Sequence, residues 1–353
     1  MKFIHIADVH LGATPDWTMP WAGDREKEIW ESFKNIINIC NEEDVDLLLI
    51  AGDFFHKQPL VGQLKEADYY FSKLKATHVV LMAGNHDYIG SRSNYIRYEW
   101  NKNVHMLMGE EVEPLILEDI NTSVYGFSYH SRDILKPMYD DIEPLNSQGI
   151  HILLAHGGDE KNVPINLRKL GSSRFDYIAL GHIHKPEILS NNMAYSGSLE
   201  PLDKNEVGER GYIIGEINKD REISSSISFV PSSIREYKRL IITIDQDTTQ
   251  GALEDIIKVN IKEQGEKNIY RIAIEGYRDE KIHFDRESLL SLGNIIEVID
   301  NSHPDYDFDG LYKENRDNMI GMFIKSIRES DQQDEISKKA LYYGIEALLG
   351  SRE

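Results

Sequence analysis

The sequence has a single cysteine, Cys40, and no apolar run that approaches the roughly 20 residues needed to cross a bilayer. One cysteine excludes an internal disulfide and a cluster of thiolate metal ligands. The first ten residues, MKFIHIADVH, contain only a short apolar segment and reach an acidic side chain at Asp8, so they do not resemble a signal peptide. We therefore expect a cytoplasmic protein without a membrane segment, in which any metal is held by nitrogen and oxygen ligands.

Positive charge is also in short supply. The chain has 39 Lys and Arg against 60 Asp and Glu, a formal net charge of −21. This balance argues against broad electrostatic attraction to nucleic acid or to an anionic membrane. It does not exclude a nucleic-acid substrate, because bound divalent cations reverse the sign of the field where the chemistry occurs. With 353 residues, of which 41% are hydrophobic, the chain is long enough for one large or two modest globular domains.

Apolar runs and helix-like segments alternate from residue 1 to about 185, which predicts a layered α/β domain. Short alternating strands at 104–127 and 193–230 indicate a pair of sheets flanked by helices. A Pro-Ser-Ser turn at 231–233 precedes a second small α/β unit, with strands at 239–245, 269–276 and 294–300 and helices at 252–264 and 286–292. A loop at 301–310, a helix at 315–329, a polar break at 330–335 and a last helix at 336–349 follow. The predicted domains are 1–234, 235–305 and 306–353.

Five strand-like runs end in Asp, Asn or His. In open α/β sheets the carboxyl ends of the strands form the ligand site, so five separate segments can converge on one crevice. Taken singly, each signal is weak, because a histidine after a strand is more often a hydrogen-bonded structural residue than a ligand. Five in succession favour a metal site. The segments are ADVHLG at 7–12, AGDFFH at 51–56, AGNHDY at 83–88, LAHGG at 154–158 and LGHIHKPE at 180–187.

Two neighbouring divalent cations need a bridging ligand, and a carboxylate with two oxygens can bridge them while it cancels charge. Asp53, central in GDFFH, is the predicted bridge. His182 and His184 lie two residues apart, so on an extended segment they share a face and can reach neighbouring cations. The other predicted ligands are Asp8 and His10 on one cation, and Asn85, His156 and one of the pair His182 and His184 on the other.

The predicted donors contain no sulfur and combine imidazole with oxygen, which suits manganese, iron or zinc. Such a pair of cations lowers the pKa of a shared water and holds phosphate oxygens for in-line attack. The sequence therefore predicts phosphoester hydrolysis.

The ordered motifs D-x-H, GD, GNHD, H and GHIH resemble the calcineurin-type metallophosphoesterase superfamily over residues 1 to about 200. The resemblance implies an α/β fold in which two sheets form an αββα sandwich, followed here by a small α/β cap and C-terminal helices. It also implies that His86 acts on the scissile phosphate without binding metal, that Asp87 orients His86, and that His56 has a positioning role or is a turn residue. The implied ligands are Asp8, His10, Asp53 and His184 for the first metal, and Asp53, Asn85, His156 and His182 for the second.

The segments IHIADVHLG and GDFFHKQPLV are similar to the nuclease subunit of the SbcCD-type DNA double-strand-break repair complex. This resemblance implies manganese-dependent 3′ to 5′ exonuclease action on duplex ends and endonuclease cleavage of single strands, with iron, zinc or magnesium as other candidate metals. It assigns DNA binding to 235–305 and docking on an SbcC-type coiled-coil ATPase to 306–353, and leaves a homodimer open.

Two alternatives remain at this stage. One is a metallophosphodiesterase or phosphatase that acts on small phosphoesters or cyclic nucleotides. The other is a non-catalytic scaffold, which predicts gaps in the ligand set. Residues 235–353 are not visibly basic, with 17 Lys and Arg against 25 Asp and Glu, so duplex binding there would depend on a local patch. A DNA-repair exonuclease-like relative that acts alone or with a different partner therefore stays open as a variant of the nuclease prediction. The last helix has apolar residues at helical spacing, which suit a partner coiled coil and packing on its own core equally well. They are Leu341, Ile345, Leu348 and Leu349.

Overall fold

A computed structural model describes residues 1–218, 225–329 and 335–350. The chain forms two compact units, Met1–Tyr237 and Lys238–Glu353. The boundaries predicted after residues 234 and 305, and the roles assigned to those segments, stay predictions. No helix in the described ranges is both long and apolar enough to cross a bilayer.

The first unit contains two six-stranded sheets and three α-helices within its described residues. Its strands are β1 (Lys2–Ile6), β2 (Leu47–Ala51), β3 (His78–Met82), β4 (Val104–Leu107), β5 (Glu113–Leu117), β6 (Thr122–Gly126), β7 (Ile150–His156), β8 (Tyr177–Gly181), β9 (Glu187–Ser190), β10 (Met193–Tyr195), β11 (Gly211–Ile217) and β12 (Ser225–Pro231). Its helices are α1 (Ala22–Glu42), α2 (Val61–Phe71) and α3 (Leu167–Leu170), with a 3-10 turn at Asn94–Arg97.

The two sheets place the central parallel strands side by side. The first sheet has the order β12-β11-β1-β2-β3-β4, in which β1 to β4 are parallel and β11 runs antiparallel to both of its neighbours, β1 and β12. The second has the order β5-β6-β7-β8-β10-β9, in which β6, β7, β8 and β10 are parallel. The carboxyl ends of β1, β2 and β3 thus share one edge of the first sheet, and those of β7 and β8 share one edge of the second.

Apolar side chains fill the space between the two sheets and cover the outer face of each. Leu49 and Val80 of the first sheet pack with Ile152 and Ala179 of the second. Helix α1 buries a stripe with helical spacing, which includes Ile29, Phe33 and Ile36, against the outer face of the first sheet. The outer face of the second sheet is covered by the short α3 and by non-helical chain that contributes Tyr129 and Tyr139. The predicted αββα sandwich is confirmed, although its second helical layer is thin.

The second unit contains a four-stranded sheet and five helices in the part that the structure describes. Its elements are β13 (Tyr237–Ile244), α4 (Gln250–Gln264), β14 (Ile269–Arg278), α5 (Arg286–Leu290), β15 (Ile295–Asp300), β16 (His303–Pro304), α6 (Phe308–Glu314), α7 (Met319–Arg328) and α8 (Glu335–Gly350). Strands β13, β14 and β15 are neighbours, and β14 pairs in parallel with both β15 and β16. The three predicted strands and two predicted helices of 239–300 are all present.

The region after residue 300 differs from the prediction. The end of the predicted loop is helical, because the Asp307 carboxylate accepts hydrogen bonds from the amides of Asp309 and Gly310 and begins α6. The predicted helix at 315–329 is shorter, because Asn318 caps a new helix, α7, in the same way. The predicted break at 330–335 lies, at 330–334, outside the described residues. In α8, Ile345 is fully buried and packs with Ile320 and Ile324, so this face is used within its own unit.

Candidate metal centre

The five predicted segments follow β1, β2, β3, β7 and β8, as the sequence indicated. Backbone hydrogen bonds tie neighbouring segments together beyond the strands. The amide of Asp8 donates to the Gly52 carbonyl, and that of His10 donates to the Asp53 carbonyl. In the second sheet, the amide of Gly157 donates to the Gly181 carbonyl. The side chains at these strand ends are therefore fixed by a hydrogen-bonded backbone.

Several of these residues have backbone angles that L-amino acids adopt infrequently. Asp8, His10, Asp53 and His182 have φ values of 50°, 52°, 49° and 91°. A non-glycine residue in this region is strained and persists only where its surroundings hold it. The expectation that His182 and His184 share the face of an extended segment is therefore wrong. The chain turns at His182, and the two imidazoles reach different neighbours.

Gly84 is required by close packing. Its φ is not positive, but a Cβ built on it would lie 2.3 Å from Oδ1 of Asp53 and 2.8 Å from Nε2 of His156. Real Cβ atoms do not approach other atoms this closely. A side chain here would displace two predicted ligands, so glycine allows the GNHD loop to approach the site.

Five of the predicted ligands are buried and form what we call the floor of the site. Within it, Oδ2 of Asp53 lies 3.8 Å from Nε2 of His10 and 3.6 Å from Nε2 of His156. Oδ1 of Asp53 instead accepts a 2.8 Å hydrogen bond from the His86 amide. One carboxylate oxygen, rather than two, thus faces both halves of the site. The floor consists of Asp8, His10, Asp53, Asn85 and His156, with exposures of 0%, 1%, 1%, 8% and 0%.

The distances between donor atoms fall into two groups, one on each side of Asp53. On one side, Nε2 of His184 lies 3.2 Å from Nε2 of His10 and 4.0 Å from Oδ1 of Asp8. On the other, Oδ1 of Asn85 lies 2.9 Å from Nε2 of His156 and 3.2 Å from Nδ1 of His182. Ligands about 2.0 to 2.2 Å from a shared cation lie about 3 Å apart when they are at right angles. The donors are therefore placed as two sets of ligands that could each hold a cation.

Burial disfavours the charged forms of the floor side chains when no cation is bound. It raises the pKa of Asp53 well above its ordinary value, and the nearby carboxylates of Asp87 and Asp8 raise it further. It also lowers the pKa of His10 and His156 well below the ordinary value for histidine. Buried carboxylates next to neutral imidazoles form an electron-rich cavity, and divalent cations satisfy these donors. The chemistry of the donor set fits two such ions.

Three hydrogen-bond acceptors contact the ligand histidines at the ring nitrogen that faces away from the other donors. Nδ1 of His184 donates to the Glu206 carboxylate at 2.6 Å, and Nε2 of His182 donates to that of Asp159 at 2.7 Å. Nδ1 of His156 lies 2.8 Å from the Ala51 carbonyl. Such contacts set which ring nitrogen is free for a metal. Glu206 and Asp159 were not predicted from the sequence, because neither lies in a strand-end motif.

The half-buried histidines form what we call the rim. Nδ1 of His86 lies 3.2 Å from the backbone carbonyl of His56, and the two rings stack with their centroids 5.4 Å apart. Among the described residues no hydrogen bond joins the Asp87 carboxylate to the His86 ring, and the orienting role that the resemblance implies for Asp87 stays a prediction. Its carboxylate accepts hydrogen bonds from the amides of Phe55 and Gly84 and from the Tyr95 hydroxyl, and so it holds the loop. The rim consists of His56, His86, His182 and His184.

Sequence comparison agrees with this geometry. The DNA double-strand break repair protein Mre11 of Methanocaldococcus jannaschii is 31% identical over 264 residues, which are 67% of this chain and 68% of the relative. The protein of the same name from Saccharolobus solfataricus is 26% identical and aligns over 96% of this chain and 98% of its own length. The SbcD nuclease subunit of Staphylococcus epidermidis is 24% identical, over 93% and 94% respectively. Residues 1–186 match the sequence profile described as calcineurin-like phosphoesterase, and the chain belongs to that family.

Proposed function

We propose that the protein is a manganese-dependent DNA nuclease that acts in DNA repair, with 3′ to 5′ exonuclease activity on duplexes and endonuclease activity on single strands. The observation that carries the proposal is the floor, where Oδ2 of Asp53 faces two separate groups of nitrogen and oxygen donors. Two-metal phosphoesterases require such a shared ligand. The names of the three relatives supply the substrate class, since two are DNA double-strand break repair proteins and one is a nuclease subunit.

Two sets of side chains would hold the cations. Asp8, His10, Asp53 and His184 would hold the first, and Asp53, Asn85, His156 and His182 the second. Two bound cations supply a hydroxide at neutral pH and neutralise phosphate oxygens. Nitrogen and oxygen donors without sulfur suit manganese, although iron, zinc or magnesium can occupy similar sites.

His86 is the residue that we assign to the substrate. Its Nδ1 points to the His56 carbonyl, so Nε2 is the ring nitrogen left for a phosphate oxygen or a leaving group. His56 contributes by placing that carbonyl and by stacking on the His86 ring. Asp87 contributes indirectly, because it holds the backbone on both sides of the contact, at Phe55 and Gly84.

The test is a substrate panel with purified protein and manganese, magnesium or zinc. Linear duplex, hairpin and single-stranded DNA are compared with bis(p-nitrophenyl) phosphate, a cyclic nucleotide and a phosphopeptide. We expect manganese-dependent DNA cleavage that a chelator stops. The His86→Ala variant is run beside the wild type, because a contaminating nuclease would be unaffected by this substitution.

Rapid hydrolysis of the small phosphoesters without cleavage of any DNA would overturn the proposal and favour the small-molecule phosphodiesterase. Absence of manganese binding in equilibrium dialysis would overturn both the nuclease and the phosphodiesterase and would favour a non-catalytic scaffold. We also propose that residues 235–305 bind DNA, that residues 306–353 dock on an SbcC-type ATPase, and that the chain forms a homodimer. Pull-down with such an ATPase tests the docking, and light scattering tests the homodimer.

A further inference from the structure

The loop at 130–133 lies between two hydrogen-bonded anchors at the edge of the site. The first anchor is Tyr129. Its amide donates to the carbonyl of Ala83 at 3.1 Å, and its carbonyl accepts from the amide of Ile89 at 2.7 Å. Ala83 and Ile89 stand immediately on either side of the loop that contains Asn85 and His86. The chain leaving Tyr129 therefore starts beside the catalytic histidine.

The second anchor is Ile134. Its amide donates to the Lys161 carbonyl and its carbonyl accepts from the Val163 amide, both at 2.8 Å. This strip continues directly from Asp159, whose carboxylate accepts hydrogen bonds from the amides of Lys161 and Asn162 and also contacts His182. Residues 130–133 thus extend from the His86 side of the rim to the His182 side.

Arg132 lies in the middle of this loop and is exposed. Within the described ranges its guanidinium has no ion-pair partner. The anchors at Tyr129 and Ile134 place Arg132 between the His86 side and the His182 side of the rim. No hydrogen bond or ion pair within the described ranges gives Arg132 a structural role, so its guanidinium is available to a ligand.

We propose that Arg132 binds a phosphate of the DNA backbone next to the scissile one and so positions the strand. A guanidinium offers paired N–H donors that match two phosphate oxygens, and it remains charged at every working pH. Tethering at both Tyr129 and Ile134 limits how far the backbone of the loop can move, which lowers the cost of bringing Arg132 to a bound strand. This inference rests on the proposed nuclease function. It adds a substrate contact on a segment that contains none of the predicted ligands.

The experiment compares Arg132→Ala and Arg132→Lys with Lys102→Ala. Lys102 is an exposed cation, so Lys102→Ala makes the same change in net charge as Arg132→Ala. It precedes β4, at the opposite end of the strands from the site, and serves as the matched control. KM and kcat are measured on a single-stranded oligonucleotide and on bis(p-nitrophenyl) phosphate, which has only one phosphate. For Arg132→Ala we expect KM for the oligonucleotide to rise about tenfold with little change in kcat, corresponding to a lost charge-assisted contact. The slope of log KM for the oligonucleotide against log salt concentration should fall by about one, as expected for the loss of one phosphate contact.

Hydrolysis of bis(p-nitrophenyl) phosphate should be unchanged in all three variants, and Arg132→Lys should recover part of the loss on DNA. An unchanged KM for the oligonucleotide in Arg132→Ala, or an equal rise in Lys102→Ala, would overturn the assignment while leaving the nuclease intact. An equal loss on both substrates would also overturn it, because the effect would then lie at the scissile phosphate. Failure of the wild type on DNA, with turnover of the small diester, would instead overturn the proposed function and this inference with it.

Discussion

The floor and the rim of the centre contain similar residue types in different surroundings. The floor side chains are at most 8% exposed and sit on strand ends that are hydrogen-bonded to one another. The rim histidines are half-buried, and each is fixed by one acceptor or one stacked ring. Burial makes the floor depend on cations for its stability, whereas the rim is open to substrate. The difference predicts that substitutions in the floor change metal binding and metal-dependent stability together. Substitution of His56 or His86, the two rim histidines outside the implied ligand sets, should instead change activity without loss of metal.

The largest effect is expected for Asp53→Asn in the floor. Asparagine keeps the shape but loses the charge that both cations would share, so bound manganese should fall and the rate should drop by at least about a thousandfold. The metal-free variant should melt at the same temperature as the metal-free wild type or higher, because it no longer buries a carboxylate beside Asp8 and Asp87. Elemental analysis after dialysis and thermal melting with and without manganese measure both. Retention of two manganese ions per chain would contradict the role of Asp53.

His86→Ala tests the rim side of the comparison. Loss of a positioned acid or hydrogen-bond donor lowers rates by about 10² to 10⁴. His86 is not among the implied ligands. Its substitution by Ala keeps the backbone amide that donates to Asp53 and removes only the ring, which lies near the His56 carbonyl and edge-on to His10, so manganese content and melting temperature should stay close to those of the wild type. Single-turnover cleavage measured beside elemental analysis separates the two quantities. A parallel loss of metal and activity would place His86 among the ligands instead.

The floor is the part of the site that the sequence predicts best. Each of its residues follows a strand-like apolar run, and the carboxyl ends of parallel strands meet at one edge of a sheet. The details at that edge depend on contacts between distant segments. The sequence does not show that the His86 amide occupies one oxygen of Asp53, or that Gly84 is needed for close approach instead of a positive φ.

The partners of the rim could not be predicted for the same reason. Glu206 is 22 residues from His184, and Asp159 is 23 residues from His182. Both acids lie in loops, where neither hydrophobic periodicity nor a motif marks them. In the second unit, Asp307 caps a helix within the predicted loop, and Asn318 caps a helix inside the longer helix predicted at 315–329. Short-range capping of this kind competes with tertiary context, which the sequence alone does not resolve.

Glu206→Gln and Asp159→Asn test whether the more buried acceptor of a rim histidine contributes more to manganese affinity. Outer acceptors of ligand histidines change metal affinity by about 10- to 100-fold. The Glu206 side chain is 18% exposed and that of Asp159 is 48% exposed, so solvent can replace the second contact more readily than the first. We expect Glu206→Gln to weaken manganese binding near the upper end of this range and Asp159→Asn only a few-fold. Titration calorimetry on metal-free protein measures both affinities. The reverse order would show that burial does not determine this support.

The smallest effect concerns His5, a buried histidine on β1 that lies outside the centre. Its Nδ1 lies 2.9 Å from the Tyr177 hydroxyl, and burial, only partly offset by the backbone of Leu180, lowers its pKa to about 3. In the unfolded chain its pKa is about 6.5, so as the pH falls below this value the unfolded state binds the proton first and stability is lost. His5→Gln removes this term, and its stability relative to the wild type should therefore improve by about 1.4 kcal/mol for each pH unit between about pH 6 and pH 4. Urea unfolding of both metal-free proteins across this range measures the difference, in which the contribution of the shared floor cancels. If the difference in free energy of unfolding between the two proteins does not change with pH, His5 is protonated in the folded protein. Burial alone would then not explain why the floor histidines are neutral.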